Sequence, residues 1–97
     1  MKIVINTCFG GFGLSKWALD RMGIPYDDNG LYDMDDVKRT DPALIAVVEE
    51  NAEAASGAYA ELEVVEIPDN TTDWFIDEYD GAEDVIYVVN GKIYRKG

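Results

Sequence analysis

The sequence predicts an α+β fold: two helices packed on one face of a mostly antiparallel sheet of about five strands, ending in an Asn-Gly β-hairpin. The order of elements carries this first: strand, helix, loop, helix, then a run of strands. Amphipathic helical periodicity in the stretch that follows Asp41-Pro42 carries it second. The third observation is Asn90-Gly91 between two β-rich runs, where both turn residues must adopt positive φ. At 97 residues the chain fits one small domain, residues 1–97, with no repeat and no Pro- or Ser-rich linker.

Lys2 to Phe9 reads as the first strand. Ile3 and Ile5 point one way and Val4 the other, which marks an interior strand. A glycine-rich turn follows, Cys8 to Ser15. Ser15 is a suitable N-cap for a short helix over Lys16 to Met22, and Leu14 and Leu19 are placed to form a hydrophobic staple. Gly23 fits a left-handed C-cap, and Pro25 prevents continuation. Tyr26 to Arg39 is acidic and reads as a loop with room for one short strand.

The second helix starts with Asp41 as N-cap and Pro42 in its first turn, and ends at Gly57. Leu44, Ile45, Val48, Ala52 and Ala55 share one face, opposite Ala46, Glu49, Glu50 and Glu53. Leu62 to Ile67 is a strand whose alternation breaks at Val64-Val65, implying burial on both faces or a bulge. Trp74 to Tyr79 is the next strand, and Asp80-Gly81 starts a turn. Val85 to Val89 and Lys92 to Arg95 form the last hairpin, with Val88 opposite Ile93 and Tyr87 opposite Tyr94.

Charge narrows the function classes. Twenty Asp and Glu against eight Lys and Arg give a net charge of −12, and histidine is absent. Phosphates and anionic membranes are repelled at that charge, so direct nucleic-acid binding and membrane association are not expected. No apolar stretch approaches the ~20 residues that span a bilayer. A hydrophobic fraction of 47% excludes disorder. The lone Cys8 has no intramolecular disulfide partner, which fits a reduced, cytoplasmic setting. Without histidine it also lacks the usual activating base and reads as a buried small hydrophobe.

The opening segment Lys2-Ile3-Val4-Ile5-Asn6-Thr7-Cys8-Phe9-Gly10-Gly11-Phe12-Gly13-Leu14-Ser15 resembles the start of a small, largely uncharacterised family of phage and prophage proteins. The likeness extends to Asp41-Pro42-Ala43-Leu44-Ile45, Val64-Val65-Glu66-Ile67-Pro68 and Trp74 to Gly81. The resemblance implies a context, the cytoplasm of a phage host, and no particular reaction. Small phage proteins of this size and charge often act on host machinery, including defence systems.

Two surfaces are candidates for function. The glycine loop, with Asn6, Phe9, Gly10, Gly11, Phe12, Gly13 and Ser15, lies between a strand and a helix start, where backbone N–H groups can cradle an anion and an aromatic ring can stack on a planar ligand such as a nucleotide. It lacks the Walker and dinucleotide spacings, and the plainer reading is a tight turn with Phe9 and Phe12 tucked into the core. The second candidate is acidic: Asp27, Asp28, Asp33, Asp35 and Asp36 in the loop, Glu49, Glu50 and Glu53 on the second helix, and Glu78 and Asp80 on a strand. These carboxylates suit the basic surface of a host protein, such as one that binds nucleic acid.

Within the acidic set, Asp27, Asn29, Gly30 and Asp36 follow a calcium loop whose first ligand position is Pro25, so the pattern is broken. Glu78 and Asp80, read as one strand face, would sit ~7 Å apart, a spacing open to Mg²⁺ or to acid–base chemistry, or to a charged, protected edge. No catalytic constellation, metal site or cofactor motif is complete. The expectation is a non-enzymatic binding protein that inhibits or modulates a host factor, with a small-ligand binder as the alternative. The aromatic load, including Trp17, Trp74, Phe75, Tyr79 and Tyr94, leaves a homodimer open.

Overall fold

β1 (Lys2–Asn6) is buried on both faces in the computed structural model, which describes residues 1–97 except for the side chain of Asp36. It pairs antiparallel with β2 (Leu62–Glu66), with Val4 opposite Val64 and Ile3 opposite Val65. Val4, Leu62 and Val64 pack toward the helices, while Ile3, Ile5, Val65 and Ile67 form a second core with Val85. The Val64-Val65 pair is therefore burial on both faces, and the pairing runs one to one without a bulge.

The remaining strands, β3 (Asp73–Tyr79), β4 (Ala82–Val89) and β5 (Lys92–Lys96), form a separate antiparallel sheet in the order β3-β4-β5. The α+β class holds, but the five strands divide into sheets of two and three rather than forming one. The physical reason lies in β1 and β2. A two-stranded ribbon that is apolar on both faces needs a cover on each. The helices cover one, and Val85, Trp74, Ile76 and Tyr87 of the second sheet cover the other.

Both links within the second sheet are two-residue turns with positive φ throughout: Asp80 at 53° and Gly81 at 93°, then Asn90 at 51° and Gly91 at 76°. That geometry matches the right-handed twist of the strands it joins. Val88 lies opposite Ile93 and Tyr87 opposite Tyr94, as the sequence predicts, and the two tyrosine rings stack at 5.4 Å. β4 begins at Ala82, three residues before the expected start, because Asp80-Gly81 is itself a hairpin turn.

α1 (Lys16–Met22) has the expected caps. The Ser15 hydroxyl accepts from the Ala18 N–H and donates to the Ala54 carbonyl, and Gly23 is left-handed at φ 71°. Leu14 and Leu19 share one core, as a staple requires. α2 (Pro42–Glu50) starts at the Asp41 cap but stops earlier than predicted. Asn51 takes an extended φ of −162° and its side chain caps a separate turn of helix, α3 (Ala52–Ala55). The break rotates the buried face: Leu44, Val47, Val48 and Ala55 are buried, while Ile45 and Ala52 are half-buried. The 26–39 segment contains no strand; a 3₁₀ turn at Met34–Asp36, capped by Asp33, takes its place. Among the described residues, no helix is long and apolar enough to cross a membrane.

Candidate functional site

A polar knot joins the glycine loop to both sheets. Asn6 is fully buried, and its amide donates to the carbonyls of Cys8 (2.6 Å) and Gly81 (2.8 Å). Its side-chain oxygen accepts from the N–H groups of Cys8 (3.3 Å) and Glu61 (2.8 Å). Its backbone N–H donates to Glu83 Oε1 at 2.8 Å. Arg39 then grips both oxygens of Glu83, at 2.6 and 2.9 Å, while its guanidinium carbon lies 3.7 Å from the centroid of the Phe12 ring. All the hydrogen-bonding capacity of the Asn6 side chain is used inside the protein, so it is not available to a ligand.

The glycines serve close packing. A Cβ on Gly10 would stand 2.0 Å from the Tyr59 carbonyl oxygen. One on Gly81 would stand 2.5 Å from the Phe9 oxygen and 2.6 Å from the Gly11 nitrogen. Gly13 accepts from the Gly57 N–H, the Leu14 N–H donates to the Tyr32 hydroxyl, and the Ser15 N–H donates to the Ala55 carbonyl. The loop is thus clamped by backbone contacts on several sides. Phe12 is half-buried, but Phe9 is exposed rather than tucked inward; its carbonyl lies against Gly81, and Gly10 lies against the Tyr59 backbone. Cys8 is half-buried rather than buried, its backbone held by Asn6.

Beside the loop lies a cleft of about 340 Å³. Gly10 to Leu14 form one wall, Leu31, Tyr32 and Met34 a second, and Gly57 to Ala60 a third. Leu31, Met34 and Tyr59 are exposed at its rim. Burial raises the Tyr32 phenol above its ordinary pKa, partly offset by the Leu14 N–H and the charge of Arg39. A second cleft, of about 540 Å³, shares Gly57 and Ala60 with the first and carries Glu53 and Glu61. The two clefts meet at Gly57 and Ala60 of the 57–60 turn, the smaller one apolar and aromatic and the larger one carrying carboxylates.

The acidic candidates divide. Glu49 pairs with Lys2 at 2.8 Å and Glu50 with Arg21 at 3.1 Å, so these two are partly neutralised from within. Glu53 has no ion pair among the described residues and sits in the groove. Asp27 caps its own loop by accepting from the N–H groups of Asn29 and Leu31. Asp28, Asp33 and Asp35 are exposed near the Leu31–Met34 wall, and the side chain of Asp36 lies outside the described residues. Glu78 lies opposite Glu83 in the sheet, whereas Asp80 has left the strand for the turn, so the two do not share a strand face. Among the described residues, no three Cys, Asp or Glu side chains converge as a metal-holding group.

Sequence reasoning missed Arg39, Glu83 and Glu61. Glu83 had a signal: alternation puts it on the same face of β4 as Val85 and Tyr87, a carboxylate in an apolar row. Compared with protein-family models, curated proteins and solved structures, the chain matches none.

Proposed function

We propose that this protein is a small acidic binding protein that engages a basic surface on another protein and so inhibits or modulates it. One observation carries this: the internal ion pairs leave most of the acidic excess unspent. Lys2, Arg21, Arg39 and Arg95 are all committed to internal carboxylates. Meanwhile Glu53, Glu61, Asp33, Asp35 and Asp80 have no ion pair among the described residues, on a chain of net charge −12. Such a surface speeds encounter with a basic partner and discriminates against anionic ones.

The resemblance of the opening motif to phage proteins supports a host protein as the partner, met in the host cytoplasm. A nucleic-acid-binding or defence protein has the required basic face. An affinity capture from bacterial lysate, read by mass spectrometry at low and high salt, tests this. Basic proteins should be retained at low salt and released as salt screens the contact. Capture indifferent to salt, or the absence of any basic partner, contradicts it.

The glycine loop is the weaker candidate as a ligand site. Gly10 and Gly81 are accounted for by their close approaches to backbone, and α1 is only 7 residues long. A thermal-shift screen with nucleotides should therefore be flat, since bound ligand would raise the melting point by mass action.

A further inference from the structure

We infer, building on the proposed function, that the groove along the 57–60 turn takes arginine side chains from an extended basic segment of the partner. Charge complementarity is the first ground. Glu53 and Glu61 line the larger cleft without an ion pair among the described residues. Two cations of the adjoining elements are engaged elsewhere: the Lys16 ammonium bonds the Asp28 carbonyl, and Arg39 is held by Glu83. A carboxylate in that position accepts the two-pronged guanidinium fork that arginine presents and lysine does not.

Surface chemistry is the second ground. The smaller cleft offers Tyr59, 78% exposed, with Leu31 and Met34 beside it. A guanidinium plane stacks on such a ring and lays its aliphatic stem along apolar neighbours. The protein already uses this contact twice internally, with Arg39 over Phe12 and Arg21 over Trp17 at 4.4 Å. Two adjoining clefts, one that stacks and one that pairs charge, suit successive side chains of an extended segment.

The test is fluorescence anisotropy of a labelled, unstructured peptide of alternating arginine and serine, titrated with the full chain. Tyr59→Ala should weaken binding about fivefold, the scale of one exposed cation–π contact. Glu53→Gln and Glu61→Gln should each weaken it about threefold, the scale of a surface ion pair. Glu66→Gln removes the same charge at the far end of β2 and should leave affinity nearly unchanged. These side chains are exposed or line an open cleft, and unchanged melting points will show that the variants fold.

If Glu66→Gln weakens binding as much as Glu61→Gln and Tyr59→Ala has no effect, the groove is overturned while acidic binding stands. A lysine peptide that binds equally well overturns the assignment to arginine. If no basic peptide binds even at low salt, both the groove and the proposed function fall.

Discussion

Arg39 and Glu83 form a two-pronged ion pair whose carboxylate is only 6% exposed and whose guanidinium covers the ring of Phe12. The pair also receives the Asn6 backbone N–H, so it ties the end of β1 to β4 and to the glycine loop. Removing Glu83 leaves a part-buried guanidinium without its partner and the Asn6 N–H without its acceptor, which together cost about 3 kcal/mol. Glu83→Ala should therefore lower the urea midpoint by an amount equal to about 3 kcal/mol, with an unchanged m-value. A loss below about 0.5 kcal/mol, the surface scale, would show that the pair does not hold the sheets together.

Asn6 makes the same junction specific. Asn6→Asp replaces an amide that donates to two carbonyls with an oxygen that can only accept, beside the buried Glu83. Leaving buried acceptors unpaired costs about 1–3 kcal/mol each. Thermal unfolding should shift downward by roughly 12 °C or more, taking about 3 kcal/mol at 4–8 °C per kcal/mol. A shift of a degree or two contradicts the assignment of Asn6 to the framework.

Two neighbouring glycines should respond differently to alanine. At Gly10 the added methyl meets the Tyr59 backbone, which cannot move aside as a flexible side chain would. At Gly11 nothing lies within 4 Å, and the cost is only that of a φ of +97°. Gly11→Ala should lose about 1–2 kcal/mol from the left-handed backbone. Gly10→Ala should lose more, and equilibrium denaturation of the two will rank them. The reverse ranking would mean that the loop is not docked on Tyr59.

Tyr32 supplies a pH signature for the smaller cleft. Burial raises its pKa above the ordinary 10.0. A raised folded-state pKa means that the associated stability is fully present below pH 10 and is lost as pH rises through the folded value. Ultraviolet titration of the protein against Tyr32→Phe should show one phenol ionising later than ordinary tyrosine. If the missing step falls at or below the ordinary value, the cleft wall is more open than described.

Much of the fold was legible because its signals are local. Ser15, Gly23, Asp41 and the Asn90-Gly91 turn each satisfy a nearby backbone requirement, and each occupies its expected position. The split into two sheets was not legible, since the helices and the second sheet bury the same ribbon from opposite sides through contacts distant in sequence. The site follows the same division. Glycine-rich composition marks the Cys8–Ser15 loop, but whether those glycines free a surface or fill one depends on Tyr59 and Gly81. Glu49 and Glu50 read from sequence as partner-facing carboxylates, but the fold sets Lys2 and Arg21 beside them. Glu61 gained its place only when the 57–60 turn folded against the loop.

A basic segment docked along the 57–60 turn would touch the glycine loop, the Leu31–Met34 wall and the cleft that carries Glu53 and Glu61. Backbone amide NMR during titration with the arginine–serine peptide reads this residue by residue. Shifts should concentrate at Gly10–Leu14, Leu31–Met34 and Ala52–Leu62 and fade as salt is raised. Shifts confined to β3–β5, or none at peptide concentrations that saturate other acidic proteins, would contradict it.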